Sequence, residues 1–134
     1  MKKILIVDDE DQFRFAVKLT LKRAGYEVFE AENGAEALNM IMDAEEHNNI
    51  YDLIILDIQM PVMSGIEFVY ALQQNDITTP VLILSGYADN LNFALELGRN
   101  GCTELMVKQF EPEELLKKID LMITSKKKTD KGDV

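Results

Sequence analysis

The sequence predicts a doubly wound parallel α/β domain in which five strands alternate with five helices and the strand order is 2-1-3-4-5. Three observations carry this. Apolar runs of strand length alternate with helix-length amphipathic segments five times along the chain. Three of the runs, Ile4–Val7, Leu53–Leu56 and Val81–Leu84, are unbroken apolar tetrads, the pattern of strands covered on both faces rather than one. The length, 134 residues, suits one domain. Right-handed crossovers then leave few topologies, of which 2-1-3-4-5 is the compact five-stranded one.

Taken in order, the expected strands are Lys3–Val7, Tyr26–Ala31, Asp52–Leu56, Pro80–Leu84 and Thr103–Val107. The expected helices are Asp11–Ala24, Gly34–Asn48, Gly65–Asn75, Ala88–Leu97 and Pro112–Thr124. In the first helix Phe13, Ala16, Val17, Thr20, Leu21 and Ala24 fall on one stripe, and Gly25 stands where a helix should stop. Ser64-Gly65-Ile66-Glu67 has capping-box spacing, and Asn33-Gly34-Ala35-Glu36 is a looser version. Pro112 fits the first helical position of the last helix, with Phe110 and Leu115 spaced as a hydrophobic staple. The domain is expected to occupy residues 1–123. Residues 124–134, rich in lysine (Lys126, Lys127, Lys128, Lys131) and without apolar periodicity, are expected to form a disordered basic tail.

Charge narrows the function classes. There are 14 Lys+Arg against 24 Asp+Glu, a net charge of -10, which argues against direct nucleic-acid binding and in favour of a divalent cation or a basic partner surface. A hydrophobic fraction of 47% is enough for a packed core. The lone Cys102 excludes an intrachain disulfide and any CxxC motif. The first apolar run meets Asp8-Asp9-Glu10, which no signal-peptide core tolerates, and no run approaches the ~20 apolar residues of a membrane span. The chain reads as soluble and cytoplasmic, with no membrane partner.

Chemistry-bearing residues follow four of the expected strands: Asp8 and Asp9 the first, Asp57 the third, Ser85 the fourth and Lys108 the fifth. Sites in open α/β sheets form beyond the carboxyl ends of the strands, where strand order reverses. In order 2-1-3-4-5 that point lies between strands 1 and 3, so Asp8 and Asp9 face Asp57 while Ser85 and Lys108 converge from the far side. Three carboxylates this close repel one another unless a cation sits among them, and hard oxygen donors suit Mg²⁺. A carboxylate beside Mg²⁺ can attack a phosphoryl group to form an acyl phosphate. Lys108 and the Ser85 hydroxyl would then stabilise the transferring oxygens.

The matching text is Ile4-Leu5-Ile6-Val7-Asp8-Asp9-Glu10, Leu56-Asp57-Ile58-Gln59-Met60-Pro61-Val62-Met63-Ser64-Gly65, Leu84-Ser85-Gly86-Tyr87 and Val107-Lys108. In this order, at strand ends, these fragments resemble the receiver domain of two-component response regulators across about residues 3–123. The resemblance implies a flavodoxin-like fold and a phosphoacceptor switch. Asp57 would take a phosphoryl group from a phosphohistidine of a histidine kinase or histidine phosphotransfer protein. Asp9 and Asp57 would bind Mg²⁺ directly, Gln59 through its backbone carbonyl and Asp8 through water. Ser85 would follow the phosphoryl group, Lys108 would pair with it, and Gln59 and Tyr87 would tune hydrolysis. Enzymatic turnover is not expected, apart from self-phosphorylation from a donor and slow self-dephosphorylation.

Three departures from the family cluster at the fifth strand. Gln109 stands where receivers usually place a cis proline, and a trans Lys108–Gln109 bond is expected because a cis non-proline peptide costs ~3–4 kcal/mol. Leu105 stands where the family usually carries a switching aromatic. The interval from Ser85 to Lys108 is about one residue longer than usual, with the surplus near Gly98-Arg99-Asn100-Gly101. Leu91, Phe93, Leu95 and Leu97 crowd the fourth expected helix. An apolar surface of fourth helix, fifth strand and fifth helix is therefore expected to serve an output partner or self-association. Phe15 and Leu19 lie opposite the core stripe of the first helix, covered by basic stems or available for docking. His47 lacks a second ligand at metal spacing and reads as a surface histidine; the seven methionines read as gap fillers.

Two other functions compete with this reading. An Mg²⁺-dependent aspartyl phosphohydrolase commonly carries an acid/base Asp two residues after the nucleophile, but that position here is Gln59, which cannot shuttle protons. A degenerate receiver acting as a phosphorylation-independent interaction module is opposed by the intact Asp8, Asp9, Asp57, Ser85 and Lys108. The expectation is a receiver with no output domain within these residues.

Overall fold

The computed structural model describes residues 1–57, 65–85, 103–107 and 110–132. Its strands are β1 (Lys3–Val7), β2 (Glu27–Ala31), β3 (Leu53–Asp57), β4 (Val81–Ser85) and β5 (Thr103–Val107). The helices are α1 (Asp11–Arg23), α2 (Gly34–Glu46), α3 (Gly65–Gln74) and a C-terminal helix, Pro112–Gly132. All strand pairings are parallel, and the sheet order is β2-β1-β3-β4-β5, as the apolar tetrads and crossover rules predict. The expected helix Ala88–Leu97 lies outside the described residues, as do Cys102 and the Gly98–Gly101 surplus.

The tetrads are buried because both faces of the sheet are covered. On one face Leu5, Val7, Ile54, Leu56, Val81 and Ile83 pack against Ala37, Ile41 and Ala44 of α2 and Phe68, Val69 and Leu72 of α3. On the other, Ile4, Ile6, Leu53, Ile55, Leu82 and Leu84 meet Val17 and Leu21 of α1 and Leu115, Ile119 and Met122 of the C-terminal helix. Each such side chain larger than alanine, when fully buried, stabilises the fold by about 1.5–3 kcal/mol before chain entropy is counted. The faces alternate residue by residue, so the strand register fixes what stands at each strand end.

The helix stops share one device. At the end of α1 the Gly25 N–H donates to the Lys22 carbonyl and the Tyr26 N–H to that of Leu21, with Gly25 at φ 95°. This Schellman closure needs a left-handed residue, which glycine supplies without steric cost. The same two bonds recur after α2, at Asn48 and Asn49, and after α3, at Asp76 and Ile77. There Asn48 (φ 55°) and Asp76 (φ 56°) take the left-handed place, a conformation their short polar side chains tolerate. Asn33 caps α2 as its spacing predicts, its side chain accepting the Glu36 N–H at 2.8 Å. Ser64, in the other predicted box, lies outside the described residues.

Beyond α1, α2 and α3 ending one or two residues early, four details differ from the sequence-based expectation. β3 and β4 begin and end one residue late, because Asp57 pairs with Leu84 and Ser85 with Val107 in the ladder. β2 begins at Glu27, since the Tyr26 N–H closes α1 instead. The C-terminal helix runs on past the expected end at Thr124 to Gly132; lysine is a good helix former, and cations suit the carboxyl end of the helix dipole. The buried stripe of α1 also turns: Ala16 and Ala24 are exposed, while Arg14, Val17 and Leu21 are buried.

Candidate functional site

β1 and β3 run in parallel with Ile6 beside Ile55 and Val7 beside Leu56. One step further, Asp8 comes beside Asp57 in the same phase of the alternation. The two are nearly enclosed, with 2% and 5% of their surfaces exposed. Asp9 follows and is exposed. Carboxylate oxygens of all three lie within 4.8 Å of one another. The sequence-predicted convergence between strands 1 and 3 is thus present for these three residues.

The turn that carries Asp8 and Asp9 is tied at several points. The Asp8 N–H donates to the Ala31 carbonyl of β2 at 3.1 Å, and its Oδ1 accepts the Glu10 N–H at 2.9 Å, the local bond typical of aspartate in a turn. The Asp8 carbonyl accepts Nη1 of Arg14 at 2.6 Å. Arg14 is a residue the sequence pattern missed. Its one sequence signal is Asp11 three positions earlier, an ion-pairing distance on a helix.

The cluster fits a hard divalent cation. Its donors are all carboxylate oxygens, the donor type Mg²⁺ prefers, and crowding three of them is unfavourable without a compensating charge. Of the other expected site residues, Ser85 ends β4, beside β3 in the sheet. Lys108, Gln59, Tyr87 and the Lys108–Gln109 peptide lie outside the described residues. Leu105 is half-buried against the core on the α2–α3 face. His47 is exposed, with Nδ1 against the Asp43 carbonyl at 2.8 Å. Phe15 and Leu19 are exposed, at 64% and 40%.

A doubly wound parallel sheet whose switch point gathers three aspartates defines an acidic-pocket α/β domain. The family model for the response regulator receiver domain matches residues 4–120, and the chain belongs to that family: it is a receiver domain of two-component response regulators.

Among curated proteins, it is 34% identical over 121 residues to the transcriptional regulatory protein SrrA of Staphylococcus aureus, an alignment covering 90% of this chain and 47% of SrrA. The chain therefore spans about half the length of that relative. Among solved structures, the chemotaxis protein CheY4 of Vibrio cholerae is 40% identical with a TM-score of 0.79, covering 91% of this chain and 98% of CheY4. The response regulator TrrA of Thermotoga maritima, solved in complex with Mg²⁺ and BeF, is 35% identical with a TM-score of 0.75, covering 91% of this chain and 99% of TrrA. No helix among the described residues is long and apolar enough to cross a membrane.

Proposed function

We propose that Asp57 is the phosphoacceptor of a Mg²⁺-dependent switch, charged by a phosphohistidine of a histidine kinase or histidine phosphotransfer protein. The observation that supports this best is the convergence of Asp8, Asp9 and Asp57 within 4.8 Å at the carboxyl end of the sheet. A carboxylate oxygen of Asp57 attacks the phosphorus; the new O–P bond forms as the P–N bond of the donor breaks, and the donor imidazole leaves with the N–P electron pair. Asp9 and Asp57 would hold Mg²⁺ directly, Gln59 would contribute its backbone carbonyl and Asp8 would act through water. When bound, the cation offsets charge on the transferring oxygens.

The main chain of Asp57 sits in the β3–β4 ladder, which keeps the nucleophile fixed while the donor approaches. Lys108 pairs with the phosphoryl group, and Ser85 donates to one of its oxygens. Leu105 takes the place of the usual aromatic switch residue. The output signal passes through the surface of the expected fourth helix (Ala88–Leu97), β5 and the C-terminal helix, to a partner or a second copy. On that side Leu105, Met106, Phe110 and the exposed Leu121 line an open groove. The protein turns over no substrate beyond its own phosphorylation and slow dephosphorylation, and it works in the cytoplasm.

Incubation with Mg²⁺ and acetyl phosphate, followed by intact mass measurement, tests this. One added phosphoryl group is expected, absent without Mg²⁺ and absent in Asp57→Ala. An unmodified wild-type chain would point instead to a phosphorylation-independent interaction module, and multiple turnover on added phosphoesters to a hydrolase.

A further inference from the structure

Arg14 sits on α1 among Phe15, Lys18 and Leu19, where a basic residue ordinarily faces water. It is instead buried, with 9% of its surface exposed, and its guanidinium joins three parts of the chain. Nη1 donates to the Asp8 carbonyl at 2.6 Å. Nη2 donates to Oδ1 of Asp11 at 2.6 Å, and Nε to Oε1 of Glu30 on β2 at 3.1 Å. The second oxygen of Glu30 accepts Nζ of Lys18 at 2.8 Å. Burial opposes the charge of Arg14, but the bonds to Asp11 and Glu30 outweigh it and hold the guanidinium above its ordinary pKa.

Two features make this more than a structural tie. First, the acceptor is the main chain of Asp8, one of the three clustered carboxylates, so the bond acts on the turn that aims Asp8 and Asp9. Second, two cations, Arg14 and Lys18, stand with two carboxylates, Asp11 and Glu30, and their charges cancel. A lone arginine this near an acidic pocket would compete with a bound cation; one whose charge is matched locally can order the turn without doing so. The planar five-donor fork suits three acceptors in different directions, whereas a lysine ammonium is a single point charge.

We propose that Arg14 is a positioning residue of the acidic pocket, holding the Asp8 carbonyl so that Asp8 and Asp9 stand ready beside Asp57 for the divalent cation. This rests on the reading of the pocket as a Mg²⁺ site. The variant to use is Arg14→Lys, which keeps the charge and the apolar stem and so spares the packing, but loses the fork. Calorimetric Mg²⁺ titration should show affinity falling by about tenfold, the lower range for outer-shell partners of a metal site. Phosphorylation by acetyl phosphate should slow at limiting Mg²⁺ and recover toward wild type at saturating Mg²⁺, a split that general loss of structure does not produce.

Lys18→Gln is the control, since it breaks the Lys18–Glu30 bond and leaves the Asp8 carbonyl bonded; its Mg²⁺ affinity should stay within twofold of wild type. Equal affinity in Arg14→Lys and wild type overturns the proposal, as does an equal loss in Lys18→Gln. Wild type failing to bind Mg²⁺ overturns the pocket reading itself, a result distinct from either.

Discussion

The two ends of the sheet treat their acids in opposite ways. At the amino end, Asp52 accepts the Lys3 main-chain N–H at 2.7 Å and returns its own N–H to the Lys3 carbonyl at 2.8 Å. The Lys3 ammonium lies 5.3 Å from the Phe29 ring centre and 6.0 Å from that of Tyr51 and bonds the Asn49 side chain. Acid, base and aromatic thus stabilise the end where they sit. At the carboxyl end, Asp8, Asp9 and Asp57 are gathered against one another. Three carboxylate donors gathered in one place fit a hard cation, and the lesson is that the acid at the amino end is tied into the fold while those at the carboxyl end form a donor set.

The strongest way to break this contrast is Asp57→Asn. Removing one of three crowded charges should raise stability measured without Mg²⁺ by about 1–4 kcal/mol, the Coulomb range for charges near 4 Å at a protein surface. It should also shrink the further stabilisation that wild type gains from Mg²⁺. A variant less stable than wild type in chelator, by denaturant unfolding, would put the carboxyl end in the same class as the amino end.

Asp52→Ala tests the other pole. Loss of its bond to the Lys3 N–H should cost about 1–2 kcal/mol, read by the same unfolding, with phosphorylation by acetyl phosphate unchanged.

The smallest effect concerns pH, at Glu30. The hydrogen bond from Lys18, aided by that from Arg14 against the opposing effect of burial, holds its carboxyl below the usual range. A carboxylate with a depressed folded pKa contributes stability that is fully present above its unfolded value, about 4.3. That contribution is lost as pH falls through the lower folded value. Glu30→Gln should therefore flatten the acid side of a melting-temperature profile below about pH 4, leaving the neutral region nearly level.

Much of this molecule is legible in its sequence, because the strands are covered on both faces and write themselves as apolar tetrads. β1 and β5 fall at their predicted bounds, and the aspartates converge because parallel register carries Val7 beside Leu56. What escaped depends on partners distant in the chain. Arg14 looks like a solvent-facing helix residue until Glu30, on β2, and the Asp8 carbonyl close around it. The stripe of α1 turned accordingly: the buried face runs along Arg14, Val17 and Leu21, and Ala16 and Ala24 fall outside it. The helix continuing to Gly132 escaped differently, since a lysine run carries no apolar period from which to count turns.

Arg14 and Glu30 also form one unit of inheritance. A change at either alone leaves a half-buried charge facing a vacancy or its own sign, while a paired change can pass. In a lineage of this chain the two positions, sixteen residues apart, should drift together or stay still, and Lys18, on the outer side of the pair, should vary more freely than either.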